Sequence, residues 1–464
     1  MLFGVDFKDK NFVKQVFRFG APVAFQNLLS SSLSLMDTFM IGQLHNEAAI
    51  GAVGLAAQLT MFLFVTMFGV ASAGSVFISQ YWGADDIKGV KKSYGIVLIG
   101  CMLVASALFL FVFIAPDRAM MIYTNEVRVI EIGASYLKVV AFSYLALGIN
   151  FAYTSVLRSV GEPNIPMYSS VLSVLVNLFF NYALIFGKFG MPALGVVGAA
   201  YGTVIASFVS LIFTITVSNI KKNIIASPLK EIFSADLAFI KYFFKIGSPA
   251  MLNEMLWIIG YTGFNMVLGR MGENNITATA ISRQVENFTF VFYNGLCTAC
   301  AIMVGKSIGA GEIERGKADA KRFMLLIPMV AAVLGAIIIT FRRFILMPFN
   351  LTEPVFNVAF VLLLITSLEM PLRNLPYISI VGIFRAGGDT KKGLLYDISV
   401  IWLVALPTTA ILGLVIGVPF PMLYLAMLLS EDIVKSTLCL KHFISMKWIK
   451  PVSTTANLSD VTQN

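Results

Sequence analysis

Residues 93–115 read SYGIVLIGCMLVASALFLFVFIA and hold no charged side chain. Coiled into a helix at about 1.5 Å per residue, such a stretch crosses the roughly 30 Å hydrocarbon core of a bilayer. Lipid offers no hydrogen bonds, so a backbone crossing it must satisfy its own, and a helix is expected. The pattern recurs along the chain. Twelve apolar runs lie at about 15–42, 52–80, 93–115, 132–157, 165–187, 195–218, 244–269, 279–305, 322–345, 358–384, 393–415 and 419–440.

Composition agrees. Of 464 residues, 58% are hydrophobic and 13% charged, against about 45–50% and about 25% in soluble domains. So few charges cannot coat a soluble surface, which excludes a soluble enzyme. The net charge of +9 does not mark a nucleic-acid binder, because the basic residues are dispersed between apolar spans. Asp6, Lys8, Asp9, Lys10 and Lys14 precede a first run of full spanning length, so no cleavable signal is expected. Cys101, Cys297, Cys300 and Cys439 lie in apolar runs. The Cys297/Cys300 spacing has no second pair or His cluster beside it, so packing is expected rather than metal or redox chemistry.

Basic residues set the orientation. One set of connections carries Lys88, Lys91 and Lys92, then Arg158, then Lys221, Lys222, Lys230 and Lys241. Further along it carries Lys306, Arg315, Lys317, Lys321 and Arg322, and finally Arg385, Lys391 and Lys392. The opposite set offers Arg118, Arg128, Lys188, Arg270, Arg342 and Arg343. The richer side belongs in the cytoplasm, and both termini, with Lys8 to Lys14 and Lys447 and Lys450, fall on it.

The chain repeats itself. Gly20-Ala-Pro22 and Gly247-Ser-Pro249 stand 227 apart (247 − 20), as do Gly42 and Gly269. Arg158-Ser-Val-Gly161-Glu162 returns as Arg385-Ala-Gly-Gly388-Asp389 at the same offset (385 − 158). Gly83-Ala-Asp-Asp86 returns as Gly309-Ala-Gly-Glu312 at 226. Six spans per half send both halves into the membrane in one direction, so a pseudo-two-fold axis along the membrane normal should relate them. The expected fold is therefore an all-α membrane protein with twelve transmembrane helices in two six-helix lobes around a central cavity. The expected divisions are an N-lobe at 1–218, a cytoplasmic linker at 219–243, a C-lobe at 244–450 and a disordered tail at 451–464.

Carboxylates at membrane depth cost several kcal/mol unless paired or hydrated, so each is a functional candidate. Asp37 lies five residues from the end of the first span, about 7–8 Å. Asn177 and Asn181 share a helix face at i, i+4, and Asn150 and Thr203 add oxygens. One carboxylate among amide and hydroxyl oxygens suits a monovalent cation such as Na⁺, or a proton. In the other half, Glu254 lies near mid-span with no basic residue within a turn, so its partner must come from another helix, water or a ligand. Glu369 and Arg373, at i, i+4, could neutralise each other beside Asn374. Arg283 with Glu286, and Glu431 and Asp432 with Lys435, are expected as local pairs, and Asp397 near the cytoplasmic surface. Phe264 and Tyr377 are candidates to line a cavity. No residue set supports a catalytic site, since His45 and His442 fall outside the spans and no nucleophile with its base is evident.

These residues carry a resemblance. Gly20-Ala-Pro22, Met36-Asp37-Thr38 with Ile41-Gly42, Gln80-Tyr-Trp-Gly83-Ala84, Leu157-Arg158 with Gly161, Asn177 to Asn181 with Phe186-Gly187, Gly195-Val-Val-Gly198-Ala199-Ala200 and Arg385-Ala-Gly-Gly388-Asp389-Thr390 occur in order. In this the chain resembles the multidrug and toxic compound extrusion (MATE) family along nearly its whole length. The resemblance implies two six-helix lobes forming a V and rocker-switch export of amphipathic, mostly cationic organic compounds in exchange for Na⁺ or H⁺. No cofactor is implied. The partners would be small organic cations and the lipid bilayer, with a monomer functional in the cell membrane (the inner membrane of a Gram-negative cell). Asp37 matches the family's acid in the first helix, and Asn150, Asn177, Asn181 and Thr203 match its N-lobe cation cluster. Glu254 matches the glutamate of the norfloxacin-pump branch, with Na⁺ expected at Asp37 or Glu254. The chain departs from the family in two places. Asn181 stands where one branch has aspartate, and Asn374 falls near the tenth-helix aspartate of the norfloxacin pumps, with Glu369 more than a turn away. The alternatives are a lipid-linked oligosaccharide flippase of the same superfamily and, more remotely, a membrane-embedded enzyme.

Overall fold

The structure, a computed structural model, describes residues 9–452. Asp6, Lys8 and residues 453–464 of the expected tail lie outside the described residues. Among those described, twelve long helices follow one another. In the first half they are α1 (Lys10–Gly42), α2 (Glu47–Gly83), α3 (Ile87–Ile114), α4 (Val127–Ser159), α5 (Asn164–Phe186) and α6 (Val196–Lys221). In the second they are α7 (Leu237–Leu268), α8 (Glu273–Gly309), α9 (Ile313–Leu346), α10 (Glu353–Gly387), α11 (Thr390–Ile416) and α12 (Phe420–Ile444). Nine are long and apolar enough to cross a membrane. The other three, α1, α7 and α12, are of similar length, and among their side chains are Asp37, Glu254, Glu431 and Asp432.

Most helices begin or end a few residues outside the apolar runs, because a helix does not stop where hydropathy falls. At α1 the carboxylate of Asp9 accepts from the backbone amides of Asn11 (2.9 Å) and Phe12 (3.3 Å), which caps the helix well before the apolar run. Those amides hold the Asp9 carboxyl below its usual range. Pro22 and Pro249 therefore sit inside α1 and α7 rather than at their starts. The segment expected as a linker is largely structured. A turn at Ile224–Ala226 and a short helix at Leu229–Ile232 precede α7. Glu231 pairs with Lys91 at 2.5 Å, and Gly95 of α3 leaves room for the Ile232 carbonyl that a Cβ would strike.

Packing divides the described chain into two compact units. One comprises residues 25–78 and 87–241; the other comprises 242–452 together with 9–24 and 79–86. Within the second unit the ends of α2 and α8 touch reciprocally. A Cβ on Gly83 would strike the Lys306 carbonyl, and one on Gly309 would strike the Gln80 carbonyl. Gly83 and Gly309 are repeat equivalents, as are Gln80 and Lys306, so this is the self-complementary contact of a local two-fold axis. Ser79 and Gly305, also equivalents, meet on it.

The repeat survives in backbone detail. After α4 the amide of Glu162 bonds the Leu157 carbonyl at 2.8 Å, and after α10 the amide of Asp389 bonds the Phe384 carbonyl at 2.8 Å. The turns place Gly161 at φ +91° and Gly388 at φ +90°, a region costly to any residue with a Cβ. That explains why glycine stands at both landmarks.

Candidate functional site

In the unit built on α3–α6, Asn181 links the expected groups. Its Nδ2 donates to Asp37 Oδ1 at 2.6 Å and to Asn177 Oδ1 at 2.8 Å. Asn177 Nδ2 donates in turn to Thr203 Oγ1 at 3.3 Å. Both asparagines are buried, whereas Asp37 is partly exposed. Asn181 Oδ1 is buried with no hydrogen-bond donor among the described residues, and it occupies the space a Cβ on Gly202 would need. Any side chain at 202 would thus displace the residue that holds Asp37. Tyr136 of α4 stands against both Thr203 and Asp37, a neighbour that sequence reasoning missed. One turn beyond Asp37, Ile41 packs with Ala49, Ile185 and Ala199 in an apolar cluster bordered by Met40, Leu44 and Phe186.

Asn150 is not part of this group. Its Nδ2 donates to Ser210 Oγ at 2.8 Å and its Oδ1 accepts from Thr214 Oγ1 at 3.3 Å, with Ser169 closing the knot. Thr203 and Ser210 are seven residues apart on α6, about 10 Å along the axis, so Asn150 bonds at a different depth.

In the other unit, Glu254 finds its partner on another helix. Arg385 donates from Nη2 to Glu254 Oε1 at 2.6 Å, with the two side chains 4% and 15% exposed. The repeat equivalent of Arg385, Arg158, bonds Gln26, whose own equivalent is Asn253, one residue before Glu254. Gln26 Nε2 donates to Ser170 Oγ at 2.8 Å, and its equivalent Asn253 donates to Asp397 Oδ2 at 2.9 Å. In the first half Gln26 bonds both Arg158 and Ser170, whereas in the second the two contacts are divided between Glu254 and Asn253.

Several expected local pairs are replaced by longer reaches. Arg373 does not neutralise Glu369; its Nη1 donates to Glu286 Oε2 across to α8 at 3.1 Å, where the Tyr424 hydroxyl also approaches at 3.4 Å. Arg283, expected to pair with Glu286, donates to Asn265 Oδ1 at 2.6 Å and lies 4.7 Å from the Tyr261 ring centroid. An arginine side chain is long enough to reach an acceptor on a neighbouring helix in place of the nearer one on its own helix. Lys435 pairs with Glu431 at 2.7 Å and with Asp397, which is buried. Asn374 donates to the Met370 carbonyl of its own helix at 2.8 Å. Phe264, a candidate cavity residue, is buried in the apolar core, and Tyr377 accepts from Asn294 at 3.3 Å. Cys297 and Cys300 pack their sulfurs around Gly382.

Comparison with known proteins adds the family. A family profile described as MatE matches residues 22–183 and 249–411, one stretch in each half of the repeat. The chain is 25% identical over 397 residues to a probable multidrug resistance protein, YoeA, of Bacillus subtilis, covering 85% of this chain and 86% of that one. It is 24% identical to a probable multidrug resistance protein, NorM, of Thermotoga maritima, covering 94% and 93%. Among solved structures, a Vibrio cholerae MATE transporter superposes with TM-score 0.84 at 19% identity, covering 95% of this chain and 98% of that one. The matches span both halves of a twelve-helix repeat whose acids lie inside the helices, and the chain accordingly belongs to the MatE family of multi-pass membrane transporters, not to the enzymes.

Proposed function

We propose that the protein exports amphipathic, mostly cationic organic compounds in exchange for Na⁺ or H⁺, by alternating access, and that Asp37 binds the coupling ion. It would act as a monomer in the cell membrane, with both termini cytoplasmic. The supporting observation is the Asn181 amide nitrogen bonded to both Asp37 and Asn177. A donor held between two oxygens occupies the place of a cation. Turning that amide over would present a third oxygen, with Thr203 beside it, an all-oxygen set suited to Na⁺; a proton on Asp37 would need only the carboxylate. The relatives' names, multidrug resistance and multidrug export, support the substrate class. The expected polar residues of the second half bond separately, Glu254 to Arg385, Arg373 to Glu286 and Asn374 to the Met370 carbonyl, with Glu369 apart from all three. Glu254 already has its charge balanced by Arg385, so coupling is assigned to Asp37 first.

If ion and compound compete for one carboxylate, each must weaken the other by the same factor. Purified protein titrated with a fluorescent organic cation should bind it more weakly as Na⁺ or protons are added. The same protein loaded with dye should need correspondingly more ion. Dye affinity unchanged by both ions would overturn the reading.

A further inference from the structure

Two buried carboxyl groups in the second unit face each other. Glu369 of α10 is 4% exposed, and no hydrogen-bond donor among the described residues reaches either of its carboxylate oxygens. Asp432 of α12, also 4% exposed, lies within hydrogen-bonding reach of it. The helix register requires this. α10 and α12 are joined through one intervening span and so run in the same direction. Ser436 Oγ of α12 donates to the Leu372 carbonyl of α10 at 3.2 Å. One turn back along each helix from that bond lie Asp432 and Glu369. The Leu372 carbonyl is free for Ser436 because Pro376 has no N–H to offer it.

The nearby cations are committed elsewhere. Arg373, on the same helix as Glu369, is held by Glu286 of α8, and Lys435 of α12 is held by Glu431 and Asp397. Two ionised carboxylates in contact at such depth would repel, and Arg373 and Lys435, near enough to act on them electrostatically, form their ion pairs with other acids. One proton between them removes the repulsion and supplies the missing donor. Neither residue has an acidic counterpart at the repeat offset in the first half, where 369 − 227 and 432 − 227 fall on Phe142 and Ile205.

We infer that Glu369 and Asp432 together bind one proton, forming a proton site separate from Asp37. Release leaves two carboxylates and sends the proton to water, and their repulsion bears on α10 where Pro371 and Pro376 precede the π-helical stretch Ile378–Phe384. Such interruptions mark functional places in helices. The linkage of this site to transport rests on the reading of the chain as an ion-driven exporter; proton binding itself does not.

The test is infrared difference spectroscopy on the full-length protein in lipid nanodiscs, in an Asp37→Asn background so that Asp37 cannot contribute. A deuterium-sensitive C=O stretch of a protonated carboxylic acid should persist at neutral pH. It should fall by one carboxyl per molecule in Glu369→Gln and equally in Asp432→Asn, because each amide donates to the remaining carboxylate and lets it ionise. If Glu369→Gln fails to fold, Asp432→Asn alone decides. A band absent from the starting protein, or one of unchanged intensity in the folded variants, would overturn the assignment. Failed export by the parent protein, with the band intact in the Asp37→Asn protein, would sink the transport reading and leave this site standing.

Discussion

Cells making the Asp37→Asn protein should retain a cationic dye that cells making the parent protein expel, with efflux lower by about 5–150-fold. That range corresponds to coupling free energies of about 1–3 kcal/mol. The substitution is nearly silent structurally. Asparagine keeps an oxygen for Asn181 Nδ2, which now bonds Asp37 at 2.6 Å, and Asn181 keeps its second bond to Asn177 at 2.8 Å. What disappears is the negative charge, and with it the group for which ion and organic cation would compete. The variant should therefore reach the membrane in normal amount and lose export. Dye efflux equal to the parent's, at equal expression, would remove Asp37 from the mechanism.

Arg385→Met should destabilise the protein by about 3 kcal/mol, near the lower end of the cost of stripping one partner from a buried ion pair. Methionine fills the space of the arginine stem but leaves the Glu254 carboxylate, 15% exposed, without its 2.6 Å partner. The residual exposure lets water reach Glu254, which limits the loss. Adding Glu254→Gln should recover most of it, because a neutral amide needs no counter-charge. Unfolding by detergent titration, compared across the parent, both single variants and the double variant, measures the coupling directly. A double variant no more stable than Arg385→Met would show that the pair is not what holds α7 to α10.

Much of this was readable in the sequence, for identifiable reasons. Lipid forces helices and forbids half-satisfied backbone, so runs such as 93–115 declare themselves. The offset of 227 marked the turns at Gly161 and Gly388, because a left-handed turn demands glycine wherever it recurs. Asp37, Asn177, Asn181 and Thr203 emerged as a group because polar residues at membrane depth are few and helical spacing sorts them by face. Long-range pairing was not readable. Glu254 and Arg385 lie 131 residues apart, and nothing in either neighbourhood joins them. The Arg158–Gln26 contact could have suggested the pairing only after a structure had shown it. Arg373 passed over Glu369 on its own helix for Glu286, a choice set by side-chain reach and not by spacing. That choice leaves Glu369 to Asp432. Asn150 went to Ser210 and Thr214 because depth along α6, not residue type, decides which amides meet.

The most direct measurement is transport by the purified protein in proteoliposomes, with a fluorescent organic cation on one side and a Na⁺ gradient or a pH gradient imposed in turn. One of the two gradients should drive the dye against its own concentration difference, and Asp37→Asn should abolish that movement. Dye that stays still under both gradients, or moves equally well without the Asp37 carboxylate, would contradict the account.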